Sequence, residues 1–199
     1  FAMPDGVGCA VHAGAKLYFR APDGTQTELC ADMNEAFSQS FTMKGVLYLM
    51  DGKTYRAVRK SSKNTAWEAV SVSGTAYVPT TTISAAPTGG GTSYEAVNLL
   101  TPKRINTFIG DGTATQFKVD ATDLDETAVT AEVNGSAVTV SAVNRSTGMV
   151  TLAAAPANGN GLANVSIAFA KTVSGHADKI NKCRFAGLYG GKNDTRVFL

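Results

Sequence analysis

Short strand-like runs rich in apolar residues, joined by glycine-containing turns, recur along most of this chain. Residues 46–50 lead through Asp51-Gly52 to residues 54–58, and residues 17–19 run into Asp23-Gly24. An Asp-Gly pair between such runs is a strong hairpin signal, because glycine adopts the positive φ that a tight turn needs. The same pattern returns near residues 188–199, on the far side of a more self-contained stretch. The chain is therefore predicted to be mainly β and built from antiparallel hairpins.

The composition argues against a disordered chain and against a helical bundle. Hydrophobic residues make up 44% of the 199 positions, which is ample for one large or two modest cores. The 20 glycines and the many Thr, Val and Ser residues favour short strands and tight turns. Residues 111–170 carry six acidic and two basic side chains, a net charge of −4, so the remainder carries +6. This asymmetry predicts two modules with different surroundings.

The three cysteines, Cys9, Cys30 and Cys183, are odd in number and far apart. That spacing argues against a secreted disulfide framework and predicts buried free thiols that fold in a reducing compartment. No apolar stretch approaches the ~20 residues that span a membrane, so we expect no membrane partner.

The stretch between 111 and 171 has the clearest strand pattern. Residues 116–119, 129–133, 138–142, 149–153 and 165–169 form short alternating runs, with Asn134-Gly135 and Thr147-Gly148 as turns. Turns every eight to twelve residues predict a small antiparallel β-sandwich of the immunoglobulin-like kind. Its core is expected to contain Phe117, Val133, Val140, Leu152 and Ile167.

These patterns predict four regions along the chain. Residues 1–95 form a propeller-like hairpin region, 96–110 a connector, 111–171 the inserted sandwich, and 172–199 a return to the propeller-like region. Within them, 76–78 is expected to pair with 67–72, and 180–188 is expected to be a strand whose partner is 196–199. We also expect a fragment of a larger subunit, because the chain begins at Phe1 and ends inside a strand-like run.

Several of these segments resemble structural proteins of tailed bacteriophages. The predicted sandwich is similar to the small β-sandwich modules of such proteins, and the flanking hairpins are similar to blade hairpins in the tail nozzle or head-to-tail stabilisation proteins of short-tailed phages and prophages. The first similarity is carried by residues 98–108, Gly110-Asp111-Gly112-Thr113, Phe117, Asn134-Gly135, Thr147-Gly148 and Ala155-Pro156; the second is carried by residues 47–55 and 187–199.

The resemblance implies a virion structural protein at the portal end of the particle. It implies a β-propeller with an inserted sandwich, assembled as a homo-oligomeric ring, in the virion a hexamer, that contacts portal or adaptor and tail proteins. The subunit would be made in the bacterial cytoplasm and end in the virion tail, where it stabilises the DNA channel after packaging. A full propeller needs at least four blades of four strands, so this chain supplies only part of one.

The candidate catalytic and metal-binding residues do not form a recognisable site. His12 and His176 are the only histidines, and pairing Cys9 with His12 supplies one half of a zinc site without a second pair. The acidic residues around 111–126 lack the fixed ligand and glycine spacing of a calcium loop, so a turn and a solvated acidic loop are favoured. We therefore expect no metal and no cofactor.

The sequence also argues against catalysis and phosphate binding. The glycines at 89–91 and at 187, 190 and 191 are not followed by Lys-Ser or Lys-Thr at the start of a helix, as a P-loop requires. No Gly-x-Ser-x-Gly turn is present, although triad members need not be neighbours in sequence. The chain is expected not to be an enzyme.

The strongest binding candidate is a basic patch formed by Arg56, Arg59, Lys60 and Lys63, flanked by Tyr55 and Trp67. In a tail channel these cations would contact DNA phosphates without sequence specificity, and the contact would weaken with salt. Basic residues on solvated strand faces and loops are the competing and favoured interpretation.

An alternative function is glycan or host-receptor binding by a β module of a tail or cell-surface protein. Loops at the ends of sandwiches commonly carry recognition, and Trp67, Tyr94 and Tyr189 could act as stacking platforms. Aromatic residues are only 8% of the chain, and residues 111–170 contain just Phe117 and Phe169. The assembly function is therefore preferred.

Overall fold

The computed structural model describes residues 1–62, 66–82, 100–190 and 196–199. It is 44% strand and 6% helix, with several antiparallel sheets, which confirms the mainly β class. The described residues form these elements: β1 Cys9–Ala13, β2 Lys16–Arg20, β3 Gln26–Cys30, β4 Gln39–Met43, β5 Val46–Met50, β6 Tyr55–Lys60, β7 Trp67–Ser71, α1 Val72–Thr75, β8 Thr80–Thr82, β9 Lys103–Phe108, β10 Gln116–Lys118, β11 Thr130–Val133, β12 Ser136–Val138, β13 Val140–Asn144, β14 Met149–Leu152, β15 Val165–Ala170, α2 His176–Asn181, β16 Gly187–Tyr189 and β17 Arg196–Phe198.

The chain divides into two compact units. Unit 1 contains residues 1–76 and 175–199, and unit 2 contains residues 77–174. Unit 1 holds a three-stranded sheet of order β1-β2-β3, a four-stranded sheet of order β4-β5-β6-β7, and the two-stranded sheet β16-β17. Unit 2 holds a five-stranded sheet of order β12-β11-β15-β9-β8 and a three-stranded sheet of order β10-β14-β13.

One hydrophobic core joins the first two sheets of unit 1. Leu17 from the three-stranded sheet is fully buried with Leu47, Leu49 and Val58 from the four-stranded sheet. Side chains alternate across a strand, so these residues define one face of the four-stranded sheet. Its neighbouring strands pair antiparallel, and the predicted Asp51-Gly52 turn lies between β5 and β6 as expected.

The other face of the four-stranded sheet is also apolar. Its pairings place Phe41 opposite Tyr48 and Tyr48 opposite Ala57, while Met50 lies opposite Tyr55. We call this surface the outer face; it consists of Phe41, Met43, Val46, Tyr48, Met50, Tyr55, Ala57 and Val70. An antiparallel sheet that covers one core commonly leaves its second face polar and solvated. This sheet instead has apolar residues on both faces.

The last described part of unit 1 differs in one element from the sequence prediction. Residues 180–188 do not form a single strand, because α2 extends to Asn181 and β16 begins only at Gly187. The N–H of Cys183 donates to the carbonyl of Ile180 at 3.0 Å, which closes the helical turn in place of a strand ladder. The predicted pairing with 196–199 is confirmed, since Leu188 lies opposite Val197 in an antiparallel ladder.

Unit 2 buries one core between its two sheets. Phe117, Leu152 and Ile167 are buried in it, and Val133 and Val140 pack against it, which confirms the predicted core. Asn134 and Gly135 both have positive φ, 51° and 76°, in the turn between β11 and β12. This is the backbone geometry that the Asn-Gly signal predicts.

Two strands of unit 2 lie outside the stretch 111–171. Strand β9 falls within the expected connector 96–110, yet it pairs with β15 along all six residues. Strand β8 adds to β9 in parallel. Residues 76–78 were expected to pair with 67–72, but they form no strand, and β7 is followed directly by the short helix α1. Within the described ranges, no helix has the length and apolar content that crossing a membrane requires.

Candidate functional site

The predicted basic patch does not lie on one surface. Arg56, Arg59 and Lys60 belong to β6, whereas Lys63 lies outside the described residues. Because side chains alternate along a strand, Arg56 and Lys60 share the face that bears Val58, and Arg59 lies on the opposite face. The strand geometry therefore separates the three cations that adjacency in sequence had grouped.

Each described cation of this patch has a carboxylate partner. Arg59 lies directly opposite Glu68 in the β6-β7 ladder, and its Nε is 2.9 Å from the Glu68 Oε1. The remaining pairs are Lys60 Nζ with Asp5 Oδ2 at 3.1 Å and Arg56 Nη2 with Asp32 Oδ2. DNA phosphates would have to displace these carboxylates, which lowers the gain from each phosphate contact.

Trp67, the predicted stacking residue beside the patch, is already engaged on unit 1. Lys60 Nζ lies 5.3 Å from the centroid of its ring, a cation–π contact across the β6-β7 ladder. The centroid of the Phe19 ring lies 6.2 Å from that of Trp67. Trp67 thus covers the margin of the unit 1 core. Tyr94, another predicted stacking residue, lies outside the described residues.

His12 pairs with a serine that the sequence did not single out. The Oγ of Ser38 lies 2.8 Å from the Nδ1 of His12, and Ser38 is 3% exposed. The His12 Nε2 is buried and has no hydrogen-bond partner within the described ranges. A catalytic Ser-His pair needs a third group that orients the imidazole and a serine that substrate can reach. Neither is present in this part of the chain, so the contact is a buried polar link.

The candidate metal ligands remain dispersed. Cys9 and His12 are three residues apart on β1 and so face opposite sides of the strand. His176 begins α2, and Asp178 of that helix pairs with Lys182 at 3.0 Å. Among the described residues, no three side chains of His, Cys, Asp or Glu come together in a way that could hold a metal ion.

Three acidic residues of unit 2, Asp111, Asp125 and Glu126, each have a separate local partner. Asp111 accepts hydrogen bonds from the N–H groups of Ala114 and Thr113, and these bonds lower the pKa of its carboxyl group. Asp125 accepts from the Thr172 hydroxyl at 2.7 Å. Glu126 pairs with Arg145 at 3.0 Å. These carboxylates order turns and chain crossings instead of converging on one point.

A polar group interrupts the core of unit 2. Asn106 is fully buried on β9, and its Oδ1 accepts the N–H of Asp120 at 2.9 Å. Asp120 is 3% exposed and lies 3.7 Å from the Nη1 of Arg104. The arrangement fixes the position of the chain after β10 relative to β9.

An open cavity of about 370 Å³ lies on unit 2. Its apolar lining comes from Val78, Pro102 and Ile105 and from the small residues Ala128, Ala168 and Ala170. Phe169 is the single aromatic side chain of this lining, and it is buried. Glycan binding relies on exposed aromatic rings that stack on sugars, and the described lining of this cavity does not supply one.

The hairpin β16-β17 exposes apolar side chains on both of its faces. Tyr189 and Phe198 meet edge to face on one side, with ring centroids 5.4 Å apart, and Leu188 lies on the other side. Arg196 extends over the Tyr189 ring at 4.9 Å. We use the term hairpin surface for four exposed side chains in and beside this hairpin. They are Phe185, Leu188, Tyr189 and Phe198, which are 80%, 60%, 54% and 60% exposed.

The outer face of the four-stranded sheet is a second incompletely covered apolar surface of unit 1. Phe41 and Tyr48 stack with ring centroids 5.0 Å apart, and Tyr55 lies 6.0 Å from Tyr48. Burial, aided by the neighbouring Tyr48, raises the pKa of Tyr55 to about 12. Met50 and Tyr55 are buried at one end of this face, whereas Phe41 and Tyr48 are only partly buried.

Sequence reasoning had identified Tyr189 as a stacking residue but had not identified either apolar surface. The sequence did contain a signal for the outer face, because residues 46–50 are apolar at every position and do not alternate. A continuous apolar run of strand length indicates a strand that is covered on both faces.

No family model, no curated protein and no solved structure matches this chain.

Proposed function

We propose that this chain is a structural subunit of a tailed-bacteriophage virion, acting in the tail nozzle or head-to-tail connector. Its propeller-like hairpins would build the wall of a homo-oligomeric ring, and its two-sheet unit would be an inserted immunoglobulin-like sandwich. In the virion the ring would be a hexamer that contacts portal or adaptor proteins and tail proteins.

The observation that carries this proposal is the four-stranded sheet with apolar residues on both faces. Propeller blades are four-stranded antiparallel sheets arranged radially around a channel, so each blade packs against a neighbour on either side. Here Leu47 and Leu49 face the core of unit 1, and Tyr48 between them lies on the outer face. Such a sheet is suited to a position between two other layers.

The exposed hairpin surface gives independent support for a role in assembly. Tyr189 and Phe198 touch on one face of the hairpin, with ring centroids 5.4 Å apart, and exposed apolar side chains that are grouped in this way can mark interaction sites. The hairpin surface and the outer face both belong to unit 1, whereas the cavity of unit 2 has a lining without exposed rings. This distribution favours a structural role over the alternative of glycan or receptor binding.

DNA contact is a subordinate part of the proposal. Arg56, Arg59 and Lys60 would meet phosphate only by exchanging their carboxylate partners. The ring would therefore stabilise a DNA channel chiefly by closing it, with weak and salt-sensitive contact to the nucleic acid.

Immunogold electron microscopy of phage particles that carry an epitope-tagged copy of the chain tests this proposal. We expect label at the junction between head and tail or along the tail. Particles that carry no label, or label confined to receptor-binding fibres, would refute the structural role at the channel. A glycan array probed with the whole chain addresses the alternative, and we expect no selective binding there.

A further inference from the structure

We propose that Asn106, Asp120 and Arg104 bind one internal water molecule, which bridges the two side chains buried between the sheets of unit 2. All three residues belong to that unit, so the site does not depend on the proposed role in the virion.

Two buried polar atoms at this place lack a partner within the protein. Asn106 is 0% exposed and Asp120 is 3% exposed. The Nδ2 of Asn106 and the Oδ1 of Asp120 are both buried, and neither forms a hydrogen bond with any residue that the structure describes. Nearly all such atoms in folded proteins are bonded to protein or to ordered water, because an unpaired buried donor or acceptor is costly. These two atoms therefore indicate a ligand.

The geometry holds the two side chains next to each other. The Oδ1 of Asn106 accepts the backbone N–H of Asp120 at 2.9 Å. Turning the Asn106 amide over would not pair its Nδ2, because two donors would then face each other. The orientation of the amide is therefore determined by this bond, and its N–H groups remain available to a ligand beside Asp120.

Arg104 provides a third polar group at the same place. It precedes Asn106 by two residues on β9 and so lies on the same face of that strand. Its Nη1 is 3.7 Å from the Oδ1 of Asp120, beyond the roughly 3.2 Å limit of an N–H···O hydrogen bond. A polar contact of more than about 3.5 Å is one that a water molecule commonly bridges.

The donors and acceptors identify the ligand as water. The Nδ2 of Asn106 can only donate, and a carboxylate such as that of Asp120 can only accept. A metal ion or an ammonium ion could not accept from Nδ2, and an anion could not donate to the carboxylate. Water does both, and an internal water typically makes about three hydrogen bonds to buried polar groups. Asn106, Asp120 and Arg104 supply three.

The bound water links the two sheets of unit 2. Asn106 lies on β9 of the five-stranded sheet, and Asp120 follows β10 of the three-stranded sheet. Shifting a strand by one residue turns every side chain to the opposite face. Such a shift of β9 would remove Asn106 from Asp120 and from the water, so the site favours the observed register.

Nuclear magnetic resonance of the whole ¹⁵N-labelled chain tests the site in solution. We expect the side-chain amide protons of Asn106 to give cross-peaks to water with opposite signs in NOE and ROE spectra, which mark a long-lived bound water. Asn164 is the matched control within unit 2, because its Nδ2 already donates to the Ala157 carbonyl and its Oδ1 accepts the Gly110 N–H, both at 2.8 Å. Its amide should show no long-lived water. The same result at Asn106 would overturn the proposal.

A crystal structure tests the bridge itself. We expect a density peak about 2.7–3.2 Å from both the Nδ2 of Asn106 and the Oδ1 of Asp120. A direct bond between these two atoms, or a peak bonded to only one of them, would overturn the bridge. In Asn106→Leu, which keeps a side chain of similar shape without the amide, the peak should be lost. A peak retained at the same place would show that Asn106 does not bind the water.

Discussion

Phe108 in the five-stranded sheet and Phe117 in the three-stranded sheet meet edge to face at the centre of unit 2, with ring centroids 5.4 Å apart and an interplanar angle of 62°. The two rings are 1% and 0% exposed. The contact joins a strand that precedes residues 111–171 to one inside them, so unit 2 depends on β9 for its core.

Replacing Phe117 with alanine should lower the free energy of unfolding of unit 2 by about 3–5 kcal/mol, because the change removes a buried ring and leaves a cavity. Urea unfolding followed by circular dichroism measures the loss. Leu162→Ala serves as the control and should change stability by no more than about 0.5 kcal/mol, since that side chain is exposed. Equal effects of the two changes would contradict the assigned core.

Gly148 should be far less tolerant of alanine than Gly135, although both have positive φ, 73° and 76°. A methyl group at Gly148 would overlap the carbonyl oxygen of Ala121. A methyl group at Gly135 would have no atom within 4 Å. Gly135→Ala should cost the ~1–2 kcal/mol of left-handed backbone strain. Gly148→Ala should cost more, because the backbone must also move. Thermal melts compare the two variants, and a Gly148→Ala melt no lower than that of Gly135→Ala would contradict the turn geometry.

Asp51 should make the stability of unit 1 depend on acid pH. Burial raises the pKa of this carboxyl group, but bonds from the N–H groups of Asn34, Thr54 and Lys53 and from the Thr54 hydroxyl together hold it below the ordinary value. A carboxyl group whose pKa is lower in the folded state stabilises the fold at pH values above its unfolded pKa of about 3.9. This stabilisation is lost as the pH falls through the folded pKa.

The variant Asp51→Asn should therefore be less stable than wild type at neutral pH, with a difference that narrows below about pH 4. Fluorescence of Trp67, the one tryptophan, reports on unit 1 during urea unfolding. Glu35→Gln removes the same charge at an exposed position of that unit. It should leave the dependence of stability on acid pH unchanged. A difference between wild type and Asp51→Asn that is constant with pH would contradict the assignment.

Glu68→Gln should strengthen binding to double-stranded DNA by releasing Arg59 from its 2.9 Å ion pair. One extra phosphate contact would steepen the slope of log affinity against log salt by about 0.9. Fluorescence anisotropy with a labelled duplex measures both quantities. Glu28→Gln, which releases Lys16 on β2, is the matched control. If both variants gain the same affinity for DNA, the change in net charge explains the effect and the basic residues of β6 have no special role.

Local turn signals predicted much of this fold. The Asp51-Gly52 and Asn134-Gly135 turns connect the strands that the sequence indicated, because glycine after Asp or Asn determines the backbone over only a few residues. The β4-β5 turn at Lys44-Gly45 was not predicted, since lysine is an unusual residue at its φ of 50°. Strand β9 was assigned to a connector because its first two residues, Lys103 and Arg104, hide the alternation that buries Asn106 and Phe108.

The candidate site was harder to predict because its contacts cross long stretches of sequence. The carboxylates that pair with Lys60 and Arg56 are Asp5 and Asp32, and only the sheet arrangement brings them to β6. Likewise, 26 residues separate His12 from Ser38. A single sequence shows where charges and rings are, but the partner of each depends on strand order, which local patterns do not determine.

Native mass spectrometry of the purified chain over a range of concentrations tests the central claim, that this protein builds a closed ring from identical subunits. The account predicts one dominant assembly with a fixed copy number, six by the phage resemblance, that becomes more abundant as concentration rises. A monomer that persists at every concentration, or a ladder of species without a preferred copy number, would contradict it.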